Sequence, residues 1–448
     1  MSKIRNYFTR KVGSKILTKW VNEDYSLSNR KEMEEKRIKE NRHHEVYYFH
    51  QIKDPYSFLA SQVLSELNDI YDINLNIVLV GEPTVLHEPE MFYQYCLEDA
   101  ISVAKSYGCS DIPKKLPSNT SINLGEKVLL NTSKISPTEL TTINNMVWNN
   151  RVDELMELSK NLGDVGNKII QNNIKRQEMG HYQGGVFHYE GENYWGLDRL
   201  FYLEERLDHL GLKKLRKNIS KGINLVERPA PFENINKLIL EFYPSLNSPY
   251  TYISFERVKK IQNDYPVSVV TKPVLPMLMR EMKIPSYKAK YILTDAAREA
   301  RRLDIKIGPV LSPLGKPAER AYSLFPWIND QGKGLDYMHQ LMKDSFANGI
   351  DIGKKSYLKK LVNLLDLNWA EAIKNLDSKG WKKCLEENRL NMYEGNSWGV
   401  PSFKLMNSDN SNIQTFWGQD RIWQIEKSIS DRINNDPVEY PSDIFTGS

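Results

Sequence analysis

Twice along the chain the same succession of local signals appears: an apolar strand, a corner of the form Ser/Asp-Pro-Tyr, an amphipathic helix, and a second strand. The first set runs through "VYYFHQIKDPYSFLA" at 46–60 to "INLNIVLV" at 73–80, and the second through "KLILEFYPSLNSPYTYI" at 237–253 to "PVSVVTK" at 266–272. Alternation in the strands and 3.6-residue spacing in the helices make each set a β-α-β unit. Each set continues into a long, mostly helical middle, including "KAKYILTDAAREARRL" at 288–303 and "SYLKKLVNLLDL" at 356–367, and closes with a hairpin, the motif W-G-x-D-R and a helix. From corner to closing Asp is 144 residues in one copy (54 to 198) and 172 in the other (248 to 420). Matching ends with middles of unequal length are the mark of a duplicated domain that received different insertions.

The expected fold class is therefore α/β, with two domains that each carry a helical insertion. A chain of 448 residues exceeds the size at which one core stops growing, which agrees. The expected boundaries are a basic helical extension over 1–43, domain one over 44–215, a proline-containing linker over 216–235, domain two over 236–432 and a tail over 433–448. The 40% apolar and 26% charged composition suits a globular chain, and no run approaches the ~20 apolar residues of a membrane helix. A net charge of +4 spread over this length gives no concentrated basic face for nucleic acid. Cys96, Cys109 and Cys384 stand in no CxxC or zinc-like spacing, and their odd number fits a reducing, cytoplasmic setting better than a disulfide framework.

The first twenty residues carry Lys and Arg but no acid, with Ile4, Phe8, Val12, Ile16 and Trp20 at near-helical spacing. Such a helix either lies on an anionic membrane surface or docks its stripe on the domain behind it; the second is the more common use of a stripe. The histidines show no metal-ligand spacing, so no metal is expected, and no glycine-rich phosphate loop is present.

At the corners, the residue before proline can cap the helix, with Pro at the first helical position where no donor is needed. The same helix end concentrates positive partial charge and free N–H groups, which suits a bound anion such as a thiolate. Here the copies diverge. The Ser248 hydroxyl can donate to an anionic sulfur, whereas an ionised Asp54 only accepts and would repel it. Domain two can host a thiolate, and domain one is degenerate at that position.

Together "NSPYTYI", "KAKYILTDAAREARRL", "LSPLGKPAERAYSLFPW", "WGVPSF" and "TFWGQDRIW" resemble the 2-hydroxychromene-2-carboxylate isomerase branch of DsbA-like thioredoxin-fold proteins, close to kappa-class glutathione transferases. The resemblance spans roughly 236–430 and, more loosely, 44–215. It implies two thioredoxin-like domains in tandem, with Ser248 as the residue that holds the glutathione thiolate. It also implies a cis-proline at Pro401, a backbone contact at Val400 to the cysteinyl part of glutathione, and a γ-glutamyl ammonium site at Asp420 aided by Gln419. Gly185 stands where domain two has Pro401. Many relatives have a small Gly-Gly lip and a later Asn where this chain has Pro276, Met277 and Met279. Neither corner has the two sulfurs that dithiol exchange requires.

The activity this implies is a glutathione- or thiol-dependent isomerase or transferase acting on a small molecule in domain two. Lys288, Lys290, Arg298, Arg301 and Arg302 are either cations for its carboxylates or a solvated helix face. The alternative is a catalytically silent thioredoxin-fold protein that grips a peptide or protein partner at the old active-site groove. The substrate and the oligomeric state are left open.

Overall fold

The computed structural model describes residues 2–83, 85–219 and 238–434, with side chains from residue 12 to residue 433. The segment read as a linker lies mostly outside the described residues, as does all but the start of the tail. The chain divides into two compact units. One comprises residues 2–26, 238–285 and 292–434; the other comprises 27–219 and 286–291.

The chain opens with helices α1 (Ser2–Val21) and α2 (Glu23–Lys39). Within the first unit α1 packs through Leu17, Trp20 and Val21, with Val21 only 3% exposed among the core side chains. Polar contacts fix the register: Ser14 Oγ donates to the Val310 carbonyl at 2.5 Å, and Thr18 Oγ1 accepts from the Val310 amide at 3.0 Å. The buried face is thus Ser14, Leu17, Thr18 and Val21. It is not the stripe through Val12 and Ile16, which are 59% and 47% exposed. The docking reading is correct in kind for residues 12–21, but the stripe is rotated and the docking surface is built from residues of the C-terminal half. Helix α2 buries no side chain. Ion pairs hold it within the second unit, where Arg30 engages Glu192 through two bonds of 2.8 and 2.9 Å.

In the second unit, β1 (Glu45–His50) leads through α3 (Pro55–Ser61) and α4 (Leu64–Ile70) to β2 (Asn74–Leu79). Five helices follow: α5 (Pro89–Ala104), α6 (Asn119–Asn131), α7 (Pro137–Trp148), α8 (Val152–Ser159) and α9 (Gly166–Glu178). The hairpin β3 (Val186–Tyr189) and β4 (Glu192–Trp195) and the helix α10 (Leu200–His209) close the unit. The strands lie in the order β2-β1-β3-β4, with β1 parallel to β2 and antiparallel to β3. A parallel pair needs a crossover, which α3 and α4 supply.

The first unit follows the same order. Strand β5 (Leu238–Tyr243), α11 (Pro249–Asp264) and β6 (Val267–Thr271) are followed by α12 (Ser286–Arg302), which belongs to this unit from Ile292 on, and by α13 (Lys316–Asp330), α14 (Gly334–Phe346), α15 (Lys355–Leu364), α16 (Trp369–Ala372) and α17 (Trp381–Glu394). Strands β7 (Ser402–Met406) and β8 (Gln414–Trp417) and the helix α18 (Ile422–Asn434) complete it, and the sheet order is β6-β5-β7-β8. Both sheets therefore have the pairing that the repeated sequence order implies. Its core centres on Phe242, stacked on Phe403 and edge-on to Phe255 with ring centroids 5.1 Å apart in both cases. No helix among the described residues is long and apolar enough to cross a membrane.

The register of α1 is open to test. Val21→Ser should cost about 2–3 kcal/mol by removing buried methyl groups and burying a hydroxyl, whereas Val12→Ser should change stability by less than about 0.5 kcal/mol. Denaturant unfolding of both variants measures the contrast; equal losses would return the helix to the Val12–Ile16 face.

Candidate functional site

Strand β5 ends in a turn that delivers Ser248 to the head of α11, where Pro249 occupies the first helical position. Ser248 Oγ accepts from the Thr251 amide at 3.2 Å and donates to the Val400 carbonyl at 3.4 Å. The second distance is long for an O–H···O bond, whose usual range is about 2.5–3.0 Å, so the hydroxyl proton is loosely held. Ser248 is half-buried rather than sealed. The Val400–Pro401 peptide is cis, and the corner and this peptide face each other at hydrogen-bonding distance. Sequence reasoning missed Thr251: it is fully buried, and its Oγ1 has no hydrogen-bond partner. A buried hydroxyl without a partner costs about 1–3 kcal/mol, so this corner has unspent hydrogen-bonding capacity.

The closing turn joins the same neighbourhood through the backbone, since the Gly418 amide donates to the Pro401 carbonyl at 2.9 Å. Gln419 is 1% exposed, and its side-chain amide donates to Glu299 Oε2 at 2.9 Å and also to Asp420 Oδ1. Arg257 donates to the Gln419 backbone carbonyl at 3.0 Å. Both Gln419 amide hydrogens are therefore used inside the fold, and the side chain positions Asp420. Asp420 itself is half-buried. The structure thus brings Ser248, Val400 and Pro401 into one cluster and attaches Gln419 and Asp420 to it through Gly418.

The Asp54 corner has the same frame and a different interior. Asp54 is 4% exposed and accepts from the amides of Tyr56 and Ser57 and, at 2.7 Å, from Ser57 Oγ. Ser57 Oγ in turn accepts from the Gln51 amide at 3.2 Å. The Gly196 amide donates to the Gly185 carbonyl at 2.8 Å, as Gly418 does to Pro401. No room remains beside the corner: a Cβ on Gly184 would lie 2.5 Å from Gln51 Cβ and 2.6 Å from Ser57 Oγ. Gly185 adopts φ +66°, which disfavours a side chain whatever the space. Burial pushes the Asp54 carboxyl up to about 6, against the lowering effect of the bonds from Ser57 and Tyr56.

A further pairing recurs in both units. Tyr56 donates to Asp99 Oδ2 at 2.6 Å on α5, and Tyr250 donates to Asp295 Oδ2 at 2.7 Å on α12. The tyrosine of each corner thus grips the first helix of the middle segment. The arginines of α12 are engaged in place: Arg298 with Asp295, Arg302 with Glu299, and Arg301 with Glu23 and the Val21 carbonyl. Met279 packs against the core, while Leu278 between the two methionines is 44% exposed. Cys96 is buried, and Cys109 and Cys384 are partly so. Among the described residues no cluster of three His, Cys, Asp or Glu could hold a metal ion.

Residues 239–430 match the DSBA-like thioredoxin domain family. No curated protein matches the chain. Among solved structures, a 2-hydroxychromene-2-carboxylate isomerase is 19% identical over 43% of this chain and 94% of its own, with a TM-score of 0.36. A putative protein disulfide isomerase from Nitrosomonas europaea is 13% identical over 43% and 98%, with a TM-score of 0.35. The cytosolic disulfide reductase DsbM from Pseudomonas aeruginosa with GSH is 15% identical over 43% and 99%, with a TM-score of 0.33. The family match thus falls within the C-terminal half of the chain, over residues 239–430.

The closed corner has a pH signature. The folded-state value of Asp54 lies above the ordinary 3.8, so this group favours the fold most below pH 4, and that contribution is lost as the pH rises through about 6. Asp54→Asn, which cannot ionise, should gain on the wild type by roughly 2–3 kcal/mol between pH 4 and pH 7. Melting curves of the pair across that range decide it; a constant difference would place the ionised carboxylate in solvent.

Proposed function

We propose that the chain is a tandem of two thioredoxin-like domains. The second binds glutathione at Ser248 and catalyses a thiol-dependent cis-trans isomerisation or conjugate transfer in the cytoplasm, and the first has lost its site. The observation that carries this reading is the contrast between the corners: the Ser248 hydroxyl is half-buried and loosely bonded to Val400, and the buried Thr251 Oγ1 is unpartnered, whereas Asp54 is saturated and enclosed. An anionic sulfur needs donors and a positive helix end, and the Ser248 corner supplies both.

In this reading the Ser248 proton turns from the Val400 carbonyl to the ligand sulfur, while the Thr251 amide at the head of α11 adds its partial positive charge. Val400 then has its carbonyl free for the cysteinyl amide, and Asp420, steadied by Gln419, receives the γ-glutamyl ammonium. When bound, glutathione would supply a sulfur able to add reversibly to a conjugated double bond of the substrate, the electron pair passing into the conjugated system and returning on expulsion, so that isomerisation would involve no net redox change; conjugate transfer would require a proton as well. A second reading, a silent domain pair that grips a polypeptide, is favoured by the internal use of Gln419 and by the enclosure of Asp54.

Titration calorimetry with reduced glutathione separates the two. The wild type should bind, and Ser248→Ala should bind roughly tenfold or more weakly, the effect of losing one hydrogen bond to a charged group. An analogue with methyl in place of the thiol should bind wild type and variant alike. Absence of binding at millimolar glutathione would eliminate the catalytic reading.

A further inference from the structure

A concavity lies in the second unit, along the margin of its sheet. Strand β2 stands at the end of the order β2-β1-β3-β4 and, among the described residues, has a neighbour on one side only. The Asn74 amide donates to the His44 carbonyl and the Val80 amide to the His50 carbonyl, both at 2.8 Å, so even-numbered residues turn their backbone groups toward β1. Backbone direction alternates along a strand, so Leu75, Ile77 and Leu79 turn theirs outward. Two asparagines of α9 meet the far end of that outward row: Asn172 Nδ2 donates to the Leu79 carbonyl at 2.8 Å, and Asn173 Oδ1 accepts from the Gly81 amide at 3.0 Å. Their bonding stops short of Ile77, which lies on the wall of a cavity of about 580 Å³ between α9 and the segment from Leu129 to Ile135. Natural proteins cover or charge such edges because an unpaired row of N–H and C=O groups is a template for another strand.

The charge of this cavity is one-sided. Lys134, Lys168 and Lys175 line it, and no Asp or Glu does. Lys175 lies over the Tyr47 ring, 4.0 Å from its centroid, and the nearby Glu45 carboxylate receives the Tyr47 hydroxyl at 2.8 Å. Lys168 Nζ donates to the Leu130 carbonyl at 2.6 Å, which fixes the ammonium at the rim while two of its hydrogens stay available. Leu129 and Leu130 supply apolar wall.

We infer that this edge binds an extended peptide segment with acidic side chains, which adds a short strand beside Ile77 and sets its carboxylates against Lys134, Lys168 and Lys175. The backbone of β2 supplies the pairing and the lysines the selectivity, a division of labour typical of strand addition. This site is separate from the Ser248 corner, and its occupancy does not depend on glutathione.

Fluorescence anisotropy of the full chain with a labelled hexapeptide of alternating Glu and Val is the test, with the Lys/Val peptide as control. The Glu peptide should bind and the Lys peptide should not. The double variant Lys168→Gln, Lys175→Gln should weaken binding roughly tenfold at low salt. Ile77→Pro removes the outward amide without touching the ladder to β1 and should abolish binding. N-methylation of alternate residues of the Glu peptide removes backbone donors on the ligand side and should also abolish it, whatever becomes of the proline variant. Equal binding of the methylated peptide, full displacement by millimolar inorganic phosphate, or no binding of the Glu peptide would each overturn the inference.

Discussion

A helix that begins inside a fold presents amide hydrogens that need an acceptor, and the acceptor chosen at each strand-to-helix corner sets what the rest of each unit can be. At one corner the acceptor is a carboxylate. Asp54 takes the Ser57 amide and the Ser57 hydroxyl together, which completes the local bonding and lets Gly184 and Gly185 close over it. At the other corner it is a hydroxyl, which accepts from Thr251 and still has a proton to direct across the gap to Val400. A single oxygen more or less therefore decides between a finished structural joint and a joint with capacity to spare.

That difference was legible because it is local. Ser or Asp before Pro-Tyr, the W-G-x-D-R closure and the alternation of the strands are short-range patterns, and the β-α-β order with matched ends follows from them. What was not legible depends on packing partners distant in sequence. The register of α1 is set by Val310, nearly 300 residues away, which meets Ser14 and Thr18 and so turns Leu17 and Val21 inward instead of Val12 and Ile16. Thr251 looks like any helix-forming residue until its burial is known, and the commitment of Gln419 to Glu299 appears only once α12 is in place. The cavity beside β2 had no sequence signal at all, because the β2 edge, the segment after α6 and α9 converge there only in the folded chain.

Ion pairs act at two depths. The second unit holds α2 to its hairpin with pairs such as Arg30 to Glu192, which are part-exposed and individually weak. In the first unit a deeper cluster forms around Glu241 on β5, which is 8% exposed between Lys272 and Lys404 and accepts from Tyr243 at 2.5 Å. A carboxylate so placed is stabilised by its partners rather than by water, and removing both lysines would leave a buried charge uncompensated.

The tyrosine that grips the middle segment from each corner has a historical implication. Tyr56 with Asp99 and Tyr250 with Asp295 are one contact made twice, between the same two positions of each layout. Read as copies of one ancestor, the units must have inherited that helix before the gene doubled, since independent acquisition would have to recreate the same phenol-to-carboxylate bond. On that reading the later helices, which differ in length between the units, would have diverged after the doubling.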